Sequence, residues 1–139
     1  MKKHGLQILA CVLLLTLAAA VVSSAQTVGL RVNVPFSFNV EEKVLPSGDY
    51  LILAPKVQTL RLFGPNGTAA LAMTNQVSGK RPAGPGAVVF NCYEAHCFLS
   101  RFWTARTDMG QEVLKSDIEK RLATQKEMIA VITLRAKPY

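Results

Sequence analysis

From Leu30 to Val40 the apolar residues take every second position: Leu30, Val32, Val34, Phe36, Phe38 and Val40, with Arg31, Asn33, Pro35, Ser37 and Asn39 between them. A period of two is the repeat of a β-strand, whose successive side chains point to opposite faces. Wound as a helix, the same residues would scatter their apolar atoms around the whole circumference. The segment therefore reads as a strand with one buried and one wet face. Pro35 has no N–H to give to a ladder, which puts this strand at a sheet edge or breaks it at that point.

The rest of the chain continues in the same style. Leu45-Pro46-Ser47-Gly48-Asp49 is turn chemistry, and Tyr50 to Ala54 is an apolar strand that Pro55 stops. Leu60 and Leu62 alternate with Thr59, Arg61 and Phe63. Gly64-Pro65-Asn66-Gly67 then turns the chain, and Ala69, Leu71 and Met73 carry the return strand. A polar loop from Val77 to Gly86 follows. Ala87 to Tyr93 and Cys97 to Thr104 form a second hairpin about Glu94-Ala95. Ser116-x-x-Glu119 is a capping box, and Ile118 with Leu122 is an i, i+4 apolar pair, so a short helix is expected from about Asp117 to Gln125. Met128 to Ala136 reads as a final strand on β-propensity, with an extension of the helix as the alternative. About seven strands and one short helix in the C-terminal half make a mainly β fold, a single small antiparallel β-sandwich or barrel.

The N-terminus is of a different kind. Met1-Lys2-Lys3-His4 precedes an apolar run from Leu6 to Val22, and Ser23-Ser24-Ala25 comes before Gln26. A basic start, an apolar stretch and a small-x-small exit are the order of a signal peptide. Residues 1–25 are read as that signal, cut between Ala25 and Gln26, and 26–139 as one secreted β-domain, periplasmic or extracellular. A retained anchor is the competing reading, since the apolar run is near the lower limit for spanning a bilayer. A lipid-modified Cys11 fails on position, because most of the apolar run follows it. Cleavage lowers the net charge from +7 to +5. The expected partners are an anionic envelope polymer or another envelope protein rather than nucleic acid, with no membrane span left after cleavage. The cations are scattered singly (Arg31, Lys43, Lys56, Arg61, Arg101, Arg106), without a basic run.

Val34-Pro35-Phe36-x-Phe38, Leu45-Pro46-x-Gly48-x-Tyr50, Val89-Phe90 with Phe98-Leu99 and Trp103, and Glu112 with Lys115-Ser116 resemble the pattern of a family of small secreted bacterial β-proteins, common in soil bacteria and without an assigned activity. The resemblance covers about residues 32–122. Its motifs are turn and core residues, so it implies a shared fold and carries no catalytic residue across. Positions 92 and 97 depart from it, being cysteines where aromatic, polar or basic residues are usual.

Those two cysteines are the only ones left after cleavage. If Glu94 and Ala95 form a two-residue turn, Tyr93 opposes His96 and Cys92 opposes Cys97 in a non-hydrogen-bonded pair, close enough for a disulfide. Free thiols and a redox-active or metal-binding pair are the alternatives. Cys92, His96 and Cys97 lack a fourth ligand for structural zinc, and neither C-x-x-C nor C-x-x-C-H is present, so no metal or other cofactor is expected. His96 is the one histidine of the mature chain, and no G-x-S-x-G accompanies it. Glu41 and Glu42 share a turn, while Asp49, Glu94 and Asp108 fall in other loops, which gives a carboxylate-dependent hydrolase no particular support. Phe98, Phe102 and Trp103 beside Arg101 and Arg106 suit either packing or a stacking surface. Packing is preferred, with Phe98 and Phe102 on one face, Leu99 and Trp103 on the other, and the late helix covering one of them. Arg101, Trp103 and Arg106 are the binding candidates if the ring is exposed. No catalytic set is complete. The leading expectation is a non-enzymatic binding or structural module of the cell envelope, followed by a small thiol-disulfide protein using Cys92 and Cys97.

Overall fold

The structure, a computed structural model, describes residues 28–56, 58–105, 107–125, 128 and 130–139, together with His4. The expected signal segment, its Ala25-Gln26 junction and Arg106 lie outside the described residues.

The chain is mainly β, with strands β1 (Val28–Val34), β2 (Phe38–Val40), β3 (Lys43–Leu45), β4 (Gly48–Lys56), β5 (Thr59–Phe63), β6 (Ala69–Val77), β7 (Ala87–Tyr93), β8 (His96–Trp103), β9 (Gly110–Val113), β10 (Ala130–Arg135) and β11 (Lys137–Pro138). Helix α1 (Asp117–Gln125) lies between β9 and β10. Among the described residues eleven strands replace the expected seven or so. Pro35 splits the long alternating segment into β1 and β2, and β1 is no edge strand, since it pairs with both β4 and β11. Glu41, at φ 54°, turns β2 directly into β3. Pro55 does not end its strand: β4 runs on to Lys56, and the ladder to β5 shifts register between Leu53 and Lys56, where a residue without an N–H is tolerated. The short β9 and β11 carry no alternation of their own. Met128 to Ala136 resolves in favour of a strand, as β10 pairs antiparallel with β7 from Ala130 to Arg135.

The ladders run β10-β7-β8-β9-β6-β5-β4-β1-β11. Because β10 and β11 are separated only by Ala136, whose N–H donates to the Gly86 carbonyl, the two ends of this path are one continuous segment and the sheet closes on itself. The result is a flattened barrel of two faces. The first holds β11, β1, β4, β5 and the start of β6; the second holds the end of β6, β9, β8, β7 and β10. The β2–β3 hairpin joins the second through a parallel bridge from Asn39 to Phe98.

Both faces contribute to a single core. Leu30, Val32, Val34, Ile52, Leu60 and Leu62 from the first meet Val88, Phe90, Leu99 and Phe102 from the second. Phe38 packs edge-on against both Phe90 and Tyr50, at 5.2 and 5.0 Å between ring centroids. On β6 it is Ala70 and Ala72 that face inward, opposite the larger Leu62 and Leu60, while Leu71 and Met73 point to solvent. The expected division of β8 also changes. The ladder shifts between Val89 and Phe90, with Arg101 and Leu99 as their partners, so Ser100 is the extra residue of a bulge. The phase flips there, and Leu99 joins Phe102 in the core while Phe98 and Trp103 do not.

Candidate functional site

Outward-facing residues divide the barrel into a sealed face and a bare one. On the second face, α1 lies against β7, where its Glu119 meets Asn91 and Tyr93. Its start is fixed by the expected cap, the Glu119 N–H donating to Ser116 Oγ at 3.2 Å. The residue it buries most deeply is Glu119, 4% exposed, with Ile118 and Leu122 only half-buried. Burial pushes the Glu119 carboxyl above the usual range; Lys115 and hydrogen bonding from Asn91 and Tyr93 oppose this, and Glu112 adds to it. Among the described residues its Oε1 has no hydrogen-bond partner. The Tyr93 hydroxyl is raised in turn, by burial first and then by Glu119.

Of the binding candidates named from sequence, Arg101 and Trp103 lie on β8 of this face. Phe98, Phe102 and Trp103 are all buried, Trp103 at 4% exposure and so close to Gly110 that a Cβ there would fall 2.6 Å from the indole. These rings are packing, not a stacking surface. Arg101 is exposed, but it spends its charge on Glu112, with Nη2 to Oε1 at 3.1 Å. Cys92 and Cys97 face each other across β7 and β8 and form the expected disulfide, with Cα atoms 4.0 Å apart. Cys92 is buried and Cys97 half-buried, whereas His96 at the hairpin tip is exposed. Among the described residues no three His, Cys, Asp or Glu side chains are grouped to hold a metal. Glu41, Glu42 and Asp117 do share a shallow hollow of about 280 Å3 with Lys115. Glu41 is occupied there in accepting the Met73 N–H at 3.2 Å.

Among the described residues the first face has no such cover. A groove of about 610 Å3 runs along it, lined by Arg31 and Asn33 of β1, Asp49 and Leu51 of β4, Phe63 of β5, Arg135 of β10 and Lys137 of β11. Register explains the gathering. Lys137, Arg31, Leu51, Phe63 and Ala69 are cross-strand neighbours in one row, and Gly29, Leu53, Arg61 and Leu71 in the next. Arg31 also lies over the Tyr139 ring, 4.9 Å from its centroid. Against Protein families, curated proteins and solved structures, the chain finds no match. Its chemistry is therefore read from this face. Among the described residues Asp49 is the one carboxylate lining the groove, and it accepts a hydrogen bond from Asn33 at 2.7 Å. Among the described residues Arg31, Arg61, Arg135 and Lys137 form no ion pair. Sequence reasoning missed this set because Arg31 and Arg61 lie far along the chain from Arg135 and Lys137. The one available signal was that Arg31 sits between core positions of β1, on the wet side of the alternation.

Proposed function

We propose that this chain is a non-enzymatic binding module of the cell envelope that takes an anionic component on its bare face. One observation carries the reading: three cations, Arg31, Arg135 and Lys137, converge on a groove in which the described residues supply a single carboxylate. Unpaired cations gathered on one surface raise the local concentration of anions, and exposed aliphatic side chains beside them add contact area. The N-terminal basic, apolar and small-residue pattern supports delivery outside the cytoplasm, and the disulfide suits an oxidising compartment. The buried Cys92 favours a structural bridge over a redox pair, which needs a sulfur open to attack.

The test is a titration with a soluble polyanion, polygalacturonate, at low and at physiological salt. The reading expects saturable binding at low salt that weakens at least tenfold at the higher salt, as surface charges are screened. Absence of binding to this polyanion and to anionic vesicles alike would overturn it.

A further inference from the structure

The bare face is apolar as well as basic. Phe63, Leu71 and Met73 are 44, 65 and 54% exposed, and Leu51 and Leu53 lie half-buried between them and the cations. Contiguous apolar surface of this kind marks an interaction site. A purely polar polysaccharide would satisfy Arg31, Arg61, Arg135 and Lys137 but leave Phe63 and Leu71 in water. A second copy of the chain would cover the apolar side chains, yet a two-fold pairing of this face sets its four cations against their own images, with Asp49 as the one groove carboxylate among the described residues. An occupant that is both anionic and apolar fits both halves of the surface.

We propose that the outer face of β1, β4, β5 and β6 docks on an anionic phospholipid bilayer. Arg31, Arg135 and Lys137 meet the headgroup phosphates, Arg61 adds a fourth cation in the neighbouring row, and Phe63 and Leu71 enter the interfacial layer. This is how peripheral proteins hold a membrane surface without spanning it: a few apolar side chains are buried at the headgroup boundary and basic residues are attracted to the anionic leaflet. No described helix is long and apolar enough to cross a membrane. The far edge of the face is bounded by Glu41, which accepts the Met73 N–H at the rim of the acidic hollow. The inference rests on the anion-binding reading above and names its ligand.

The test places a reporter on the surface and leaves the rest of the full chain intact. Leu71→Trp puts an indole on the bare face, and Thr124→Trp puts one on the exposed side of α1; the native Trp103 is buried and common to both. Each variant is mixed with vesicles of phosphatidylglycerol and phosphatidylcholine carrying brominated acyl chains. Because residues 1–25 are the same in both, any contribution of their apolar run cancels in the comparison. The expected result is a blue shift and quenching for Leu71→Trp and no change for Thr124→Trp. Each basic residue near an anionic surface contributes about fivefold in affinity, so Arg31→Gln, Arg135→Gln and Lys137→Gln together should weaken vesicle binding roughly a hundredfold. Equal quenching of both reporters, or quenching of neither, overturns the docking face. Binding to polygalacturonate without binding to vesicles overturns the lipid assignment and leaves the anion-binding reading standing, whereas loss of both removes the two together. Displacement of vesicles by an acidic protein with unquenched Leu71→Trp counts against lipid as the occupant.

Discussion

The Glu119 carboxylate of α1 is buried against the Tyr93 side chain of β7, so the helix is pinned to the second face by an acid where an apolar residue would be ordinary. Its carboxyl titrates higher in the folded chain than in the unfolded one, where it is near 4.5. The folded state therefore holds the proton more tightly, and stability falls as pH rises from the unfolded value through the raised folded one. Below that window this penalty is absent. Denaturant midpoints between pH 4 and 8 should decline across it, and Glu119→Gln should flatten the decline and be the more stable chain at pH 8. A wild-type midpoint that rises through the same window, with no difference from Glu119→Gln, would contradict the burial.

Ser116 caps the same helix with one side-chain hydrogen bond to the Glu119 N–H. Ser116→Ala should cost about 1 kcal/mol in urea unfolding, because an orphan N–H at the helix start loses its acceptor. Ser116→Asp should restore most of it.

The second hairpin is closed by a bridge between residues five apart in sequence. Such a short loop gains about 2 kcal/mol on the chain-entropy view. Reductant should lower the unfolding free energy in urea by that amount in the wild type and leave a Cys92→Ala, Cys97→Ala double variant unmoved. Identical midpoints with and without reductant would deny the bridge a structural role.

The two faces of the barrel should respond differently to truncation. Phe90, fully buried between Phe36 and Phe38, should cost about 3–5 kcal/mol as Phe90→Ala. Leu71→Ser, on the bare face, should change stability by no more than about 0.5 kcal/mol. Thermal or urea unfolding of the pair separates residues kept for the core from those the core does not need.

Much of the architecture was legible in the sequence. The alternation around Val32, the turn at Asn66-Gly67, the Cys92–Cys97 opposition and the Ser116 cap each rest on a local rule, and each forms where that rule places it. The phase of β8 was not legible, because one extra residue at Ser100 moves Leu99 and Trp103 to opposite fates and strict alternation has no means of announcing a bulge. The orientation of β6 was hidden for a related reason: large residues mark a core face only when the opposing strand leaves room, and Leu60 and Leu62 fill that room themselves, so alanines suffice at 70 and 72. The basic face left a single trace in one dimension, Arg31 on the wet side of the β1 alternation. Arg31 and Lys137 become neighbours only when β11 closes the barrel against β1.

The central claim, that anions are taken on the uncovered face and not on the helix-covered one, is tested most directly by affinity for polygalacturonate at low salt in two variants. One carries Arg31→Gln, Arg135→Gln and Lys137→Gln; the other removes three cations from the sealed side, as Arg101→Gln, Lys120→Gln and Arg121→Gln, with the same change in net charge. The account predicts at least a tenfold loss in the first and less than threefold in the second. Equal losses would show a response to total charge alone and would contradict it.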